Sequence, residues 1–224
     1  MIRIKICGIT NLADAKAATD AGANSLGFNF YEKSLRRVVT ADAAQIRSKL
    51  PKEVEAVGVF VNAKPIDINS LRAFVRFETA QLHGDETPDI VSRVASSLPV
   101  IKVFRVDANL PFSAFDRFSD VFAFLLDGAR AGQYGGTGQT TDWDFARRAA
   151  ATHRIILSGG LKVENVAEAI RIVRPYAVDV ASGVESKPGK KDHARLKEFI
   201  DEVRRAEQQL EQQPENPKEN PTHP

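Results

Sequence analysis

Short runs of Val, Ile, Leu and Phe recur along the chain. Between them lie stretches whose apolar positions fall three and four residues apart. The runs predict strands over 2–7, 24–30, 54–61, 78–83, 99–105, 121–127, 154–158 and 176–181. Several are apolar at nearly every position, which marks strands covered on both faces in a parallel sheet. The intervening stretches predict helices over 11–21, 41–50, 66–75, 87–96, 112–118, 142–151, 163–173 and 190–208. In the first, Thr10 or Asn11 supplies an N-cap and Gly22 stands near the end. The seventh carries Val163, Val166, Ile170 and Val173 at helical spacing, with Pro175 beyond. Eight strand–helix units in series predict a parallel sheet with crossover helices. An open doubly wound sheet would show fewer strands, or a dinucleotide-binding glycine fingerprint after the first. The first strand ends instead in Cys7-Gly8-Ile9-Thr10. The expected fold is therefore α/β, a single-domain (β/α)8 TIM barrel over residues 1–208.

The last stretch breaks the pattern. Residues 209–224, QLEQQPENPKENPTHP, hold four prolines and almost no apolar side chains. Such a segment buries too little surface to offset its ordering entropy, so a disordered polar tail is expected. Its removal should leave stability and activity unchanged.

Composition narrows the partners. The 224 residues suit one barrel domain, and 43% are apolar, enough for a core without metals or disulfides. A net charge of +2 and no basic stripe argue against nucleic acid. No run is long and apolar enough for a membrane span, and MIRIKICGIT has no signal-peptide pattern. The single cysteine forms no internal disulfide, which suits a reducing compartment. The expectation is a soluble cytoplasmic protein.

In a barrel of this kind the chemistry sits on the loops that follow the strands. Those loops carry Cys7, Asn29 to Arg36, Asn62, His83, Arg105, Asp127, a Gly-rich run over 135–138, Ser158-Gly159-Gly160 and Ser182-Gly183. The glycines after the last two strands expose backbone N–H groups, the features of a phosphate cradle, and this favours a barrel of the phosphate-binding type. They also fit plain tight turns. The long loop over 128–141 suits a flap over a ligand, or simple disorder. Cys7 and Asp127 each end a strand, and proton transfer between carbon and oxygen needs one acid facing one base. A lone cysteine is equally the ordinary small filler of a core. His83 is expected near the mouth, holding a loop rather than titrating. The four histidines show no metal-ligand spacing, and no nucleophile elbow or Walker loop is present.

IKICGIT, GFNFYEKSLR, VGVFVN, QLHGDE, LLDG, GGTGQTTDW, LSGGL and DVASGVESKPGKKD stand on successive loops, from about residue 3 to 195. In order and spacing they resemble the phosphoribosylanthranilate isomerase family of tryptophan biosynthesis. The resemblance implies an Amadori rearrangement of a phosphoribosyl-anthranilate, with neither metal nor organic cofactor. It makes Asp127 the general acid on the ring oxygen and Cys7 the general base at C2. Arg36 would hold the anthranilate carboxylate. Gly138, Gly160, Ser182 and Gly183 would cradle the phosphate, and Asp179 would lie near the sugar hydroxyls. For this chemistry Asp127 must carry a proton part of the time, and Cys7 needs a deprotonating influence nearby. Leu35 stands where the family usually has proline, and Thr141 where an aromatic is common.

The resemblance leaves a monomer or a homodimer equally open. A sugar isomerase of histidine biosynthesis would carry Asp in place of Cys7. Indole-glycerol-phosphate synthase would use lysine and glutamate at strand ends; Lys5 and Lys102 lie within strands, but the accompanying pattern is missing. A non-catalytic phosphate-binding barrel would need neither Cys7 nor Asp127. A thiol hydrolase would need a histidine clearly paired with Cys7.

Overall fold

The computed structural model describes residues 1–107, 109–128 and 141–212. The strands are β1 (Arg3–Cys7), β2 (Ser25–Asn29), β3 (Glu55–Phe60), β4 (Thr79–Leu82), β5 (Val100–Val106), β6 (Ala123–Gly128), β7 (Ile155–Leu157) and β8 (Ala177–Val180). They pair in parallel, in chain order, and close into a barrel through β1 and β8. Around them lie α1 (Leu12–Ala21), α2 (Thr40–Arg47), α3 (Pro65–Val75), α4 (Pro88–Ala95), α5 (Trp143–Ala150), α6 (Val163–Val173) and α7 (His193–Gln212). Asn11, not Thr10, caps α1 by accepting from the Asp14 amide, and Gly22 closes it in the left-handed conformation.

Side-chain parity along the strands sorts the barrel. Successive side chains point to opposite faces of a sheet. The even positions Ile4, Ile6, Leu26, Phe28, Phe124, Leu126, Val178 and Val180 face outward and join the main core under the helices. The inward positions Val57, Ile101, Val103, Ala123, Leu125, Ile156 and Ala177, odd-numbered except on β7, form a second, smaller cluster inside the barrel. Above that apolar plug the odd positions turn polar: Lys5, Gln81, Asp127 and Asp179 are buried there. The sequence expectation of near-continuous apolar strands is thus two layers read through one another.

Three expectations need correction. The segment predicted as a helix over 112–118 is a short 3-10 helix, Phe112–Arg117. Three residues per turn place Phe112, Phe115 and Phe118 on one line. Phe115 and Phe118 press edge-on against Phe104, and Phe112 packs on Phe145. The predicted last helix over 190–208 begins later. Lys190–Lys191 instead forms strand β10, paired antiparallel with β9 (Glu185–Lys187), because Lys191 is drawn inward to Asp14 and Glu185. That helix also ends later, at Gln212, so residues 209–212 belong to the fold and not to a disordered tail. Leu210 explains the extension: it continues the apolar face of Leu196, Phe199, Ile200, Val203 and Ala206 and packs on the core.

α7 also ties the two ends of the chain together. Arg204 donates to the Ile2 carbonyl at 2.7 Å, and the Ile2 amide donates to Glu207. The packing of Leu210 carries a testable cost. Leu210→Ala should lower stability by about 1 kcal/mol, about 2–4 °C in melting temperature for a chain of this size. Thermal unfolding followed by circular dichroism measures it.

Candidate active site

One cleft at the C-terminal ends of the strands gathers most of the expected residues. Cys7, Arg36, Asp127, Gly160, Asp179 and Ser182 line it, with Gln81 and His83 on the same wall. Gly183 follows Ser182 at the edge, where both border a neighbouring groove with Gly160. Gly138 lies outside the described residues, as does most of the long loop after β6. Asn62 and Arg105, also expected at the mouth, stand on the rim: Asn62 accepts from the Asp85 amide, and Arg105 pairs with Asp85.

Asp127 ends β6 and points inward by parity, with 4% of its surface exposed. His83 Nε2 approaches its Oδ2 at 3.4 Å. That distance suffices for charge interaction, yet among the described residues neither His83 Nε2 nor the nearby Gln81 Oε1 has a hydrogen-bond partner, although both are buried. Buried polar atoms normally find partners. Two orphans on one cleft wall are therefore groups for a ligand to satisfy. Sequence reasoning placed His83 near the mouth but did not bring it to Asp127, because the meeting joins the ends of β4 and β6 across the barrel mouth.

Gly159 makes room for Asp127. Its φ of +82° lies in the left-handed region that favours glycine. A Cβ there would run into the Gly128 amide nitrogen and the Thr141 hydroxyl, and would lie 3.0 Å from Asp127 Oδ1. Thr141, the residue that departs from the usual aromatic, is buried and donates to the Ser158 carbonyl at 2.6 Å. The small hydroxyl fills the corner beside Gly159.

Arg36 enters the cleft from the loop after β2. Its aim is set by a carboxylate that sequence reasoning missed. Glu185 accepts from Arg36 Nε at 2.9 and 3.1 Å and from Nη2 at 2.7 Å. This two-pronged contact fixes the guanidinium plane. Leu35 is exposed and takes no part. Gly8, at φ +79°, lets the chain pass under the Arg36 stem, which a Cβ would strike at 2.7 Å. Glu185 is in turn held by Lys191 at 3.0 Å, and Lys191 also donates to the Cys7 carbonyl at 2.6 Å and the Ala181 carbonyl at 3.1 Å. Burial pulls the Lys191 pKa below the ordinary lysine value, against the attraction of Glu185. The Lys191 amide is fixed by Asp14 at 2.8 Å, and Asp14 meets His193 at 2.8 Å. Both Glu185 and Lys191 stand in the ESKPGKKD stretch, so the motif was visible while its use was not.

Cys7 ends β1 beside Lys5 and Asp179. Lys5 Nζ donates to Asp179 Oδ1 at 2.7 Å, and Ser158 Oγ donates to Asp179 Oδ2 at 3.2 Å. Burial pushes the Cys7 thiol above its ordinary value, and Asp179 adds to that; Lys5 and Lys191 pull the other way. Burial also acts against the Lys5 ammonium, but Asp179 and Cys7 together outweigh it and leave its pKa raised. The other strand lysine, Lys102, has even parity. It faces outward to Glu86 at 2.6 Å, away from this cleft. Among the described residues no cluster of three or more His, Cys, Asp or Glu side chains is arranged to hold a metal ion.

Two substitutions test this architecture. Gly159→Ala forces strained backbone and a clash at Asp127, and should cost about 2 kcal/mol or more in urea unfolding. Glu185→Gln leaves Arg36 and Lys191 buried without their shared anion, and should cost about 3 kcal/mol by the same measurement.

Comparison with known proteins agrees with this geometry. The sequence profile of the family described as N-(5'phosphoribosyl)anthranilate (PRA) isomerase matches residues 4–202. The chain is 47% identical over 209 residues to the N-(5'-phosphoribosyl)anthranilate isomerase of Trichlorobacter lovleyi, spanning 92% of this chain and 100% of that protein. The crystal structure of phosphoribosyl anthranilate isomerase from Thermotoga maritima superposes with a TM-score of 0.85 at 41% identity, over 91% of this chain and 99% of that one. A second solved structure is a phosphoribosyl anthranilate isomerase in complex with reduced 1-(o-carboxyphenylamino)-1-deoxyribulose 5-phosphate. It matches with a TM-score of 0.82 at 40% identity, over 91% and 99% of the two chains. With the profile spanning nearly the whole barrel and close relatives matched end to end, the chain belongs to the N-(5'-phosphoribosyl)anthranilate isomerase family.

Proposed function

We infer that this chain converts N-(5'-phosphoribosyl)anthranilate to 1-(2-carboxyphenylamino)-1-deoxyribulose 5-phosphate, the Amadori isomerisation of tryptophan biosynthesis. The observation that carries the reading is the meeting of Cys7 and Asp127 in one cleft, on strands β1 and β6, in a chain of this family. The ligand named in the 40%-identical complex has the carbon skeleton of the product.

Asp127 acts first as general acid. It gives its proton to the furanose ring oxygen, the C1–O bond breaks, and a Schiff base forms between C1 and the anthranilate nitrogen. The Cys7 thiolate then takes the proton from C2. The C–H electron pair becomes the C1=C2 bond, and the C=N pair returns to nitrogen. In the ketone-forming step the enol oxygen gives its proton to Asp127, and Cys7 returns a proton to C1. Both side chains end as they began, so no external acid, base or oxidant is consumed. Arg36 meets the anthranilate carboxylate through Nη1, the nitrogen that Glu185 does not take. Gln81 and His83, with their unpartnered buried atoms, face the bound substrate.

Gly160, Ser182 and Gly183 cradle the phosphate through backbone N–H groups; they adjoin one another at the cleft edge, and Gly160 has a φ of +64°. Gly138, the further cradle residue that the resemblance implies, lies outside the described residues. Asp179 has both oxygens engaged, by Lys5 and Ser158, which makes it a holder of those side chains more than a ligand of the sugar. Acid and base come from one chain, so the chemistry runs equally in a monomer or a homodimer. The free thiol fits a cytoplasmic enzyme.

The test is the fluorescence decay of freshly generated phosphoribosylanthranilate. Wild-type protein should accelerate it strongly, and Cys7→Ala and Asp127→Ala should each lose about three orders of magnitude or more while remaining folded. A folded wild-type protein with no effect on the decay removes the isomerase reading.

A further inference from the structure

A base with its pKa raised by burial needs a source of stabilisation for its charged form. We propose that Lys5 supplies it: clamped by Asp179, the Lys5 ammonium is the counter-charge of the Cys7 thiolate, and so a positioning residue of the proton transfer. The proposal rests on the isomerase reading for its catalytic consequence, but not for its structural content.

The geometry singles out Lys5. Lys5 and Cys7 both face the barrel interior from β1, and β2 offers Gly27 directly beside Cys7. A Cβ at Gly27 would lie 2.8 Å from Cys7 Sγ and 3.2 Å from Lys5 Nζ. The two atoms thus converge over the one place on β2 that has no side chain, no further apart than the sum of those distances. At such range in a buried site an opposite charge acts strongly on an ionising group. Among the described residues Lys191 is the other cation that acts on the thiol, and it acts less strongly than Lys5. Lys191 Nζ is spent on two carbonyls and Glu185. Arg36 is held by Glu185. Asp127 and His83 approach one another, and Asp179 on β8 bears the wrong sign.

Asp179 then has a defined part. Without it, burial would drive Lys5 to give up its proton, and the neutral amine would offer no charge to the thiolate. With it, Lys5 stays charged, and Ser158 steadies the carboxylate. The carboxylate also opposes the thiolate directly, so the site holds two counteracting influences on one sulfur. When the thiolate takes the C2 proton it becomes a neutral thiol, and the Lys5–Asp179 pair remains as the balanced charge left behind. A plain structural pair plugging the barrel would have no such effect on the thiol.

The single cysteine makes the test clean, since every thiol signal is Cys7. In full-length folded protein, the pH dependence of thiolate ultraviolet absorbance and of iodoacetamide alkylation gives the thiol pKa without substrate. Lys5→Met should raise it by about one unit or more, a roughly tenfold loss of thiolate at fixed pH below the transition. Asp179→Asn should raise it as well, because Lys5 then gives up its charge, and Lys5→Arg should return it toward wild type. In turnover, the rise of kcat with pH should move to higher pH in Lys5→Met, by the same amount as the thiol titration, with KM little changed. Should Lys5→Met fail to fold, the upward shift in Asp179→Asn decides alone. An unchanged thiol pKa in folded Lys5→Met, or an unchanged or lowered one in Asp179→Asn when that variant stands alone, overturns the proposal. Absence of wild-type turnover overturns the isomerase reading instead, and the titration still decides the role of Lys5.

Discussion

Closure of the sheet rests on the parallel ladder between β1 and β8, where Arg3, Ile4, Lys5 and Ile6 pair with Ala177, Val178, Asp179 and Val180. This ladder joins the two ends of the barrel sequence. It sets Lys5 directly opposite Asp179, and with the ladder to β2 it sets Cys7 beside Gly27. A one-residue slip would turn every side chain of β1 to the opposite face, sending Lys5 and Cys7 into the layer under the helices. The hydrophobic plug of Leu125, Ile156 and Ala177 holds the register from below, since those side chains have no other apolar environment inside the ring. α7 holds it from outside, by bonding the start of β1.

Above the plug the barrel interior tolerates charge only in closed sets. Lys5 meets Asp179, and Asp179 meets Ser158. Arg36 meets Glu185, Glu185 meets Lys191, and the Lys191 amide meets Asp14. Buried ion pairs contribute little net stability, because desolvation offsets attraction. Their value here lies in direction. Each pair holds a side chain at the wall of the cleft in one orientation, so the cleft is ordered before a ligand arrives. Gln81 and His83 stand apart from these closed sets, each with a buried polar atom that has no partner among the described residues.

Rim and cleft are separated by the same parity that separates core from plug. Lys5 and Lys102 are both strand lysines with apolar neighbours, and in one dimension they look alike. Lys5 occupies an odd, inward position and Lys102 an even, outward one, so one reaches the thiol and the other pairs with Glu86 outside the barrel. The nearly continuous apolar runs concealed this alternation, because both faces of a barrel strand are buried. The same blindness affected the 3-10 segment at Phe112–Arg117, where three phenylalanines fit either helical period until their aromatic partners are known.

The sequence by itself determined the repeating strand–helix order, the barrel, the loops that carry chemistry, and the positions of Cys7, Arg36, Asp127, Asp179, Gly160 and Ser182 at the mouth. These follow from local periodicity and from the rule that barrel chemistry gathers after the strands. Tertiary structure alone decided which charges meet. Glu185 on Arg36, Lys191 on the Cys7 carbonyl, His83 beside Asp127 and Asp179 on Lys5 are contacts between residues 44 to 184 positions apart. It also decided that α7 continues to Gln212, through one leucine finding the core. Local propensity carries no information on such pairings, because each depends on strand register and ring closure rather than on neighbours in the chain.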